Sequence, residues 1–120
     1  MTYLYIFIGG GLGSLCRFLV GKAALSMMKI DFPLGTFIAN IIACVLLALI
    51  VVGTSGSSEN SAWIQPLIIV GFCGGFSTFS TFSNDTFNLL EAGNVVLAVA
   101  NIMVSIIVGV GLIYFIRTKV

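Results

Sequence analysis

The chain has 120 residues, of which 59% are hydrophobic and 8% are charged, and its mean hydropathy is +1.21. Because a soluble domain carries about 25% charged residues, this composition predicts an integral membrane protein of one domain. The net charge of +1 comes without a basic tract, so no nucleic-acid partner is expected, and the lack of histidine disfavours a transition-metal site. The three cysteines lie in apolar segments and are expected to be small buried hydrophobes: Cys16, Cys44 and Cys73.

Four apolar segments predict an all-α integral membrane protein with four transmembrane helices, at about 3–27, 33–52, 62–90 and 95–116. The first segment lacks the positive stretch and the cleavage site of a signal peptide, so a retained helix is expected. One of its faces carries small residues and a charge, and the small residues let another helix approach closely: Gly9, Gly13, Arg17 and Gly21. Arg17 is expected either to face the bundle interior or a wet vestibule, where it would attract anions, or to snorkel to the headgroups.

The second span opens at Pro33, which suits a helix start because the first amides have no partner there. Asn40 is the most conspicuous residue within this span. A buried amide without partners costs about 1–3 kcal/mol, so its side chain is expected either to bond across helices or to meet a ligand.

The third span contains the run GFCGGFSTFSTF at positions 71–82. Two adjacent glycines disfavour a helix interior, and the Ser and Thr side chains that follow can bond their own backbone, so a break is predicted at Gly74-Gly75. Bare backbone at membrane depth is tolerated where it is buried in protein or lines a wet cavity. The run therefore predicts a pore or a buried ion site, or else a kinked helix that packs tightly on a neighbour.

The polar groups within the spans are mostly hydrogen-bond donors. The acidic residues are expected in loops or at span ends: Asp31, Glu59, Asp85 and Glu91. The rims of Phe79 and Phe82 are also electropositive, because of the aromatic quadrupole. Ring edges and donors together suit a small anion, unless the phenylalanines serve packing alone. No base lies beside a nucleophile, so an enzyme is not expected.

Lysine and arginine are almost evenly divided between the two sides of the membrane. Lys22 and Lys29, with Arg17 nearby, lie on one side, and Arg117, Lys119 and the terminal amine lie on the other. Orientation follows the Lys/Arg bias of short loops. The missing bias predicts dual topology and an antiparallel homodimer, unless other features orient the chain.

In its glycine clusters and polar run the chain resembles the CrcB/Fluc family of fluoride channels, which are small four-span bacterial membrane proteins. The resemblance covers essentially the whole chain, and its matching pieces are Gly9 to Gly13 with Arg17-Phe18, Gly35-Thr36 followed by Asn40, and the run at 71–82. The chain departs from the pattern at two places. Ser77 stands where many members have threonine, and Ala43-Cys44 replaces a more usual Gly-Ser.

The resemblance implies a passive, fluoride-selective channel of the inner membrane that exports cytoplasmic fluoride, built as an antiparallel dual-topology homodimer with two pores. The implied fluoride pore consists of donors, phenylalanine ring edges and a polar track on the fourth span: Asn40, Phe79, Ser80, Thr81, Phe82, Asn101 and Ser105. The resemblance also implies a structural sodium ion at the dimer centre, bound by backbone carbonyls of Gly74 and Ser77 in both subunits. For Arg17 it implies a structural or electrostatic role.

Two other classes of membrane protein share this size and span count. A small dual-topology multidrug exporter needs a titratable group within the membrane, but the first span here has no glutamate. A non-transporting scaffold would explain the glycine packing but not the Ser/Thr/Phe run at membrane depth.

Overall fold

The computed structural model describes residues 1–56 and 61–120, and this part of the chain is helical apart from short connections. The elements in chain order are α1 (Thr2–Met27), α2 (Leu34–Thr54), α3 (Ser61–Ile64), a π-helical segment (Gln65–Cys73), α4 (Gly74–Phe76), α5 (Phe79–Glu91) and α6 (Val95–Lys119). The elements from α3 to α5 form one span, Ala62–Glu91. Four of the described helical stretches are therefore long and apolar enough to cross a membrane, which confirms the predicted all-α, four-span architecture. The predicted loop residue Glu59 lies outside the described residues.

Local sequence accounts for the helix ends that matter here. Pro33 immediately precedes α2, where its missing N–H costs nothing. The α5 helix ends in a glycine motif: Gly93 has φ +84°, the Gly93 N–H donates to the Leu90 carbonyl, and the Asn94 N–H donates to the Leu89 carbonyl. This left-handed cap satisfies the last carbonyls of the helix and turns the chain into α6 within three residues.

Helix α1 packs against the third span through glycines. Gly9 and Gly13 are buried, and a Cβ added to either would overlap a backbone carbonyl of the third span, that of Leu67 or Phe72 respectively. A Cβ added to Gly75 would lie 2.5 Å from the Gly10 carbonyl oxygen. The predicted small-residue face of the first span is thus the face that allows close backbone contact.

The third span is broken, but not at the predicted residues. Gly74 and Gly75 belong to α4, and the chain leaves the helical conformation at Ser77 (φ −79°, ψ 154°) and Thr78 (φ −151°, ψ 123°). Gly75 serves close packing against α1 rather than a backbone break. The interruption falls instead where Ser and Thr side chains offer the backbone alternative hydrogen bonds.

Candidate functional site

The break at Ser77 and Thr78 is held by an amide from another helix. The backbone N–H of Thr78 donates to Asn40 Oδ1 at 2.8 Å, and Asn40 Nδ2 donates to the Thr78 carbonyl at 3.3 Å. Asn40 lies in α2, so these two bonds fasten the non-helical residue of the third span to its neighbour. Asn40 therefore bonds across helices, which is one of the two expectations for its side chain. Only one of the two hydrogens of its amide group is used in these bonds.

Hydroxyl groups cluster at the start of α5. Thr78 Oγ1 accepts from the Thr81 N–H at 3.2 Å, which makes Thr78 the N-cap of α5. Thr78 Oγ1 also lies 3.2 Å from Ser80 Oγ and donates to Thr81 Oγ1 at 3.2 Å. Arg17 Nη1 of α1 donates to the same Thr81 oxygen at 3.4 Å. Because Thr81 Oγ1 accepts twice, its own hydroxyl proton remains available for another acceptor.

Phe79 and Phe82 lie on the same stretch of α5 as the hydroxyl cluster. Their ring centroids are 6.1 Å apart and their planes are inclined at 38°. Phe79 is 80% exposed in the single chain and Phe82 is half-buried. The two rings are thus neighbours, as their spacing of three residues predicts for a helix, and Phe79 is turned away from the packed core of the chain.

A second polar group joins α5 to α6. Asn101 is 1% exposed, and its Nδ2 donates to Thr86 Oγ1 at 2.9 Å. Ser105 Oγ donates to Asn101 Oδ1 at 3.4 Å, and Thr86 Oγ1 donates to the Phe82 carbonyl at 2.8 Å. Asn101 and Ser105 therefore share a face of α6 as their spacing predicts, and Thr86 links that face to the backbone of Phe82.

The carbonyls of Gly74 and Ser77 have lost their helical partners. In a continuous α-helix they would accept from the N–H groups of Thr78 and Thr81, but those amides donate to Asn40 and to Thr78 Oγ1 instead. Gly74 and Ser77 also border an open, mostly apolar groove of about 210 Å³ between α2 and the third span. Free carbonyl oxygens are hard ligands of the kind that replace the hydration shell of a monovalent cation. The residues present thus fit a sodium ion, with Gly74 and Ser77 as the groups that would hold it.

A larger cavity lies where the second half of α1 meets the start of α2 and α5. It measures about 670 Å³, and its polar lining comprises Arg17, Lys22, Thr36, Thr81 and Asp85. Arg17 is ten residues from the end of α1, about 15 Å along the helix at 1.5 Å per residue. Its Nε is buried without a hydrogen-bond partner among the described residues. Arg17 therefore lines this cavity, with its Nε turned into the protein.

Asp85 does not lie at the end of the third span. It is half-buried within α5, six residues before the final Glu91, and its Oδ2 accepts from Thr36 Oγ1 at 2.7 Å. The expected position for Asp85, a loop or a span end, therefore differs from the position within α5. Helix α5 continues because one face still packs, through Thr86 and Leu89, which are buried.

Three residues of the polar network were missed as site candidates by sequence reasoning. Thr78, Thr86 and Asp85 each bond a predicted residue or the element that carries one. For Thr78 a signal existed, since threonine is among the residues preferred at the N-cap of a helix. For Thr86 and Asp85 none existed, because their partners come from other helices.

Known proteins resemble this chain along most of its length. Residues 4–116 match the family described as "CrcB-like protein, Camphor Resistance (CrcB)". The chain is 44% identical over 110 residues to the fluoride-specific ion channel FluC of Pyrococcus horikoshii, across 91% of this chain and 87% of that protein. It is 43% identical over 110 residues to FluC of Syntrophotalea carbinolica, across 92% of this chain and 89% of that protein. Identity to FluC of Flavobacterium psychrophilum is 35% over 108 residues, across 90% and 87%.

The family match and the four spans concern the same residues. The matched region begins within α1 and ends within α6, so it includes every predicted site residue. The chain is a multi-pass protein of the plasma membrane, and it belongs to the CrcB-like protein family.

Proposed function

We propose that the chain is a fluoride-specific ion channel, not an enzyme, and that it lets fluoride leave the cytoplasm passively. Relatives that it matches over about nine-tenths of its length bear the name fluoride-specific ion channel. Hydrogen fluoride is a weak acid that crosses lipid uncharged and dissociates in a more alkaline cytoplasm. An open path for the anion then allows efflux, which an inside-negative potential assists.

The grouping of donors and ring edges at the third-span break carries the proposal for the pore. Asn40, Ser80 and Thr81 supply donors around the break, and Phe79 and Phe82 supply electropositive rims next to them. Conduction needs binding that is favourable enough for entry and weak enough for exit. Several neutral donors in succession meet this requirement better than a single fixed charge.

The polar pair on α6 extends the path in this proposal. Asn101 and Ser105 are linked through Thr86 to the backbone carbonyl of Phe82, so they are joined to the helix that carries the phenylalanine pair. Arg17 at the 670 Å³ cavity raises the local concentration of anions at one entrance. Its role is electrostatic, and it also anchors Thr81.

A second copy of the chain completes the site in this proposal. Phe79 and Ser80 are exposed in the single chain, although both are assigned to the pore, and exposed hydroxyls are unfavourable in lipid. The near-absence of a Lys/Arg bias supports the antiparallel arrangement of the two copies. A sodium ion bound by the carbonyls of Gly74 and Ser77 from both copies would join them at the break, as a structural ion.

Efflux from liposomes tests the proposed function directly. Purified protein is reconstituted in vesicles loaded with fluoride or chloride, and release is followed with ion-selective electrodes. Fast fluoride release without chloride release is the expected result. Release of both anions would overturn the assigned selectivity. If neither anion is released, in verified dimers with sodium present, the hydrogen-bond donors at the break serve packing and not conduction. Efflux of a cationic dye would identify an exporter instead.

A further inference from the structure

The two bonds from Asn40 to Thr78 determine where one carbonyl of the third span points. A trans peptide unit is planar, and its N–H and C=O point in opposite directions. The N–H of Thr78 and the carbonyl of Ser77 belong to the same peptide unit. Because that N–H points at Asn40 Oδ1 in α2, the Ser77 carbonyl is directed away from the Asn40 side chain.

The same bond leaves the Gly74 carbonyl free. If the helix continued past Ser77, the Thr78 N–H would donate to Gly74. The Thr78 N–H donates instead to Asn40 Oδ1 at 2.8 Å. A continuous helix would therefore leave the Oδ1 of the half-buried Asn40 without a donor, which is unfavourable. One side chain thus both orients the first carbonyl and frees the second.

Thr78 has the matching effect on the other side of the break. Its Oγ1 accepts from the Thr81 N–H at 3.2 Å, the donor that would otherwise pair with the Ser77 carbonyl. The N-cap therefore starts α5 and at the same time leaves Ser77 without a helical partner. The two freed carbonyls thus belong to residues three positions apart at the same break.

We propose that Asn40 and Thr78 are positioning residues for a cation site: they hold the carbonyls of Gly74 and Ser77 free and oriented for a sodium ion. This inference rests on the sodium site of the proposed function and gives Asn40 a role that is separate from contact with fluoride. The amide of Asn40 acts through its acceptor oxygen on the backbone, whereas contact with fluoride would use its remaining donor hydrogen.

A sodium titration of stability tests the inference without any transport measurement. The thermal unfolding midpoint of the purified full chain is measured in micelles at increasing sodium, with N-methylglucamine as the replacement cation. A bound ion raises this midpoint in a concentration-dependent way. The readout is the sodium concentration that gives half of the maximal stabilisation, and retained helical content by circular dichroism verifies the fold of each variant.

Matched substitutions separate positioning from general packing. Thr78→Val removes the capping oxygen and Thr78→Ser keeps it. Asn40→Ala removes the acceptor for the Thr78 N–H, and Asn40→Asp keeps an acceptor in the same place but has no donor. The control is Thr36→Val, which removes another interhelical hydrogen bond, the one to Asp85, away from the break.

The expected result is a rise of about fivefold or more in the half-maximal sodium concentration for Asn40→Ala and Thr78→Val, consistent with the loss of one buried hydrogen bond. Thr78→Ser, Asn40→Asp and Thr36→Val should show no rise. Wild-type values in both Asn40→Ala and Thr78→Val would overturn the positioning role, and so would a rise in Asn40→Asp equal to that in Asn40→Ala. A wild-type protein that is indifferent to sodium would remove the cation site itself, while leaving fluoride conduction to be judged by efflux.

Discussion

Asn40 illustrates how an amide at membrane depth serves the backbone of a neighbouring helix. Its oxygen accepts from the Thr78 N–H, which in a continuous helix would donate to the Gly74 carbonyl, and its nitrogen donates to the Thr78 carbonyl. In lipid every backbone polar group needs a partner within the protein, so the break and the asparagine depend on each other. The residue is therefore structural at its oxygen and available for a ligand at its second amide hydrogen.

The phenylalanine pair gives the sharpest prediction for transport at this scale. Phe79→Ala and Phe82→Ala should each lower fluoride efflux at least about tenfold, the effect of about 1.4 kcal/mol on a barrier, because the ring edge is lost. Phe87→Ala is the control, since Phe87 lies on the same helix and is 59% exposed. Efflux from liposomes is the measurement, and equal rates for all three variants and the wild type would contradict the assignment.

Asn101 gives a prediction about stability. It is 1% exposed, and its amide bonds both Thr86 and Ser105. Asn101→Leu should lower the free energy of unfolding by about 1–3 kcal/mol, because buried polar partners lose their bonds. Asn88→Leu is the matched control, since Asn88 is exposed on α5 and should change stability by no more than about 0.5 kcal/mol. Unfolding in mixed micelles measures both, and a neutral Asn101→Leu would show that the network contributes nothing.

At the scale of elements, the contact between α1 and the third span depends on missing side chains. Gly9 and Gly13 let backbone approach backbone, and Gly75 does the same from the opposite side. Such contacts replace the hydrophobic driving force that helices lack in lipid. These backbone contacts with α1 extend along the third span to Phe76. Two residues later, the hydrogen bonds between Thr78 and Asn40 connect the third span to α2.

Two glycines two residues apart in α1 test this packing. Gly13→Ala would place a methyl group against the Phe72 carbonyl, and should destabilise the protein by about 1–3 kcal/mol through overpacking. Gly11→Ala meets nothing within 4 Å and should be neutral or slightly stabilising. Thermal unfolding in micelles compares the two. Equal midpoints would mean that α1 can move away from the third span without loss.

At the scale of the whole molecule, orientation in the membrane is governed by five basic residues. Replacing Arg117 and Lys119 by glutamine leaves Lys22 in the last turns of α1 and Lys29 in the connection to α2, so this variant should insert with that connection in the cytoplasm. Lys22→Gln with Lys29→Gln should favour the opposite orientation. The wild type should show both orientations with a reporter fused after Val120.

Co-expression of the two oriented variants tests the antiparallel dimer. Each variant alone should give little fluoride efflux, because copies that all point one way cannot pair antiparallel, and co-expression should restore efflux. The reporter fusions control for expression and orientation. Full efflux from one variant with a verified single orientation would contradict the antiparallel arrangement.

The sequence by itself determined the four spans, the glycine face of α1 and the common face of Asn101 and Ser105 on α6. These depend on local composition and on helical period, which a single chain displays in full. It also led to the family, because the run at 71–82 and the earlier glycine clusters keep their order and spacing. The tertiary structure alone decided where the third span breaks. Adjacent glycines can break a helix or pack one, and the presence of Gly10 opposite Gly75 selected packing. It also decided the hydrogen-bond partners of Asn40, Asn101 and Asp85. These bonds join different helices, and the local sequence pattern does not show which residues of two helices come close together.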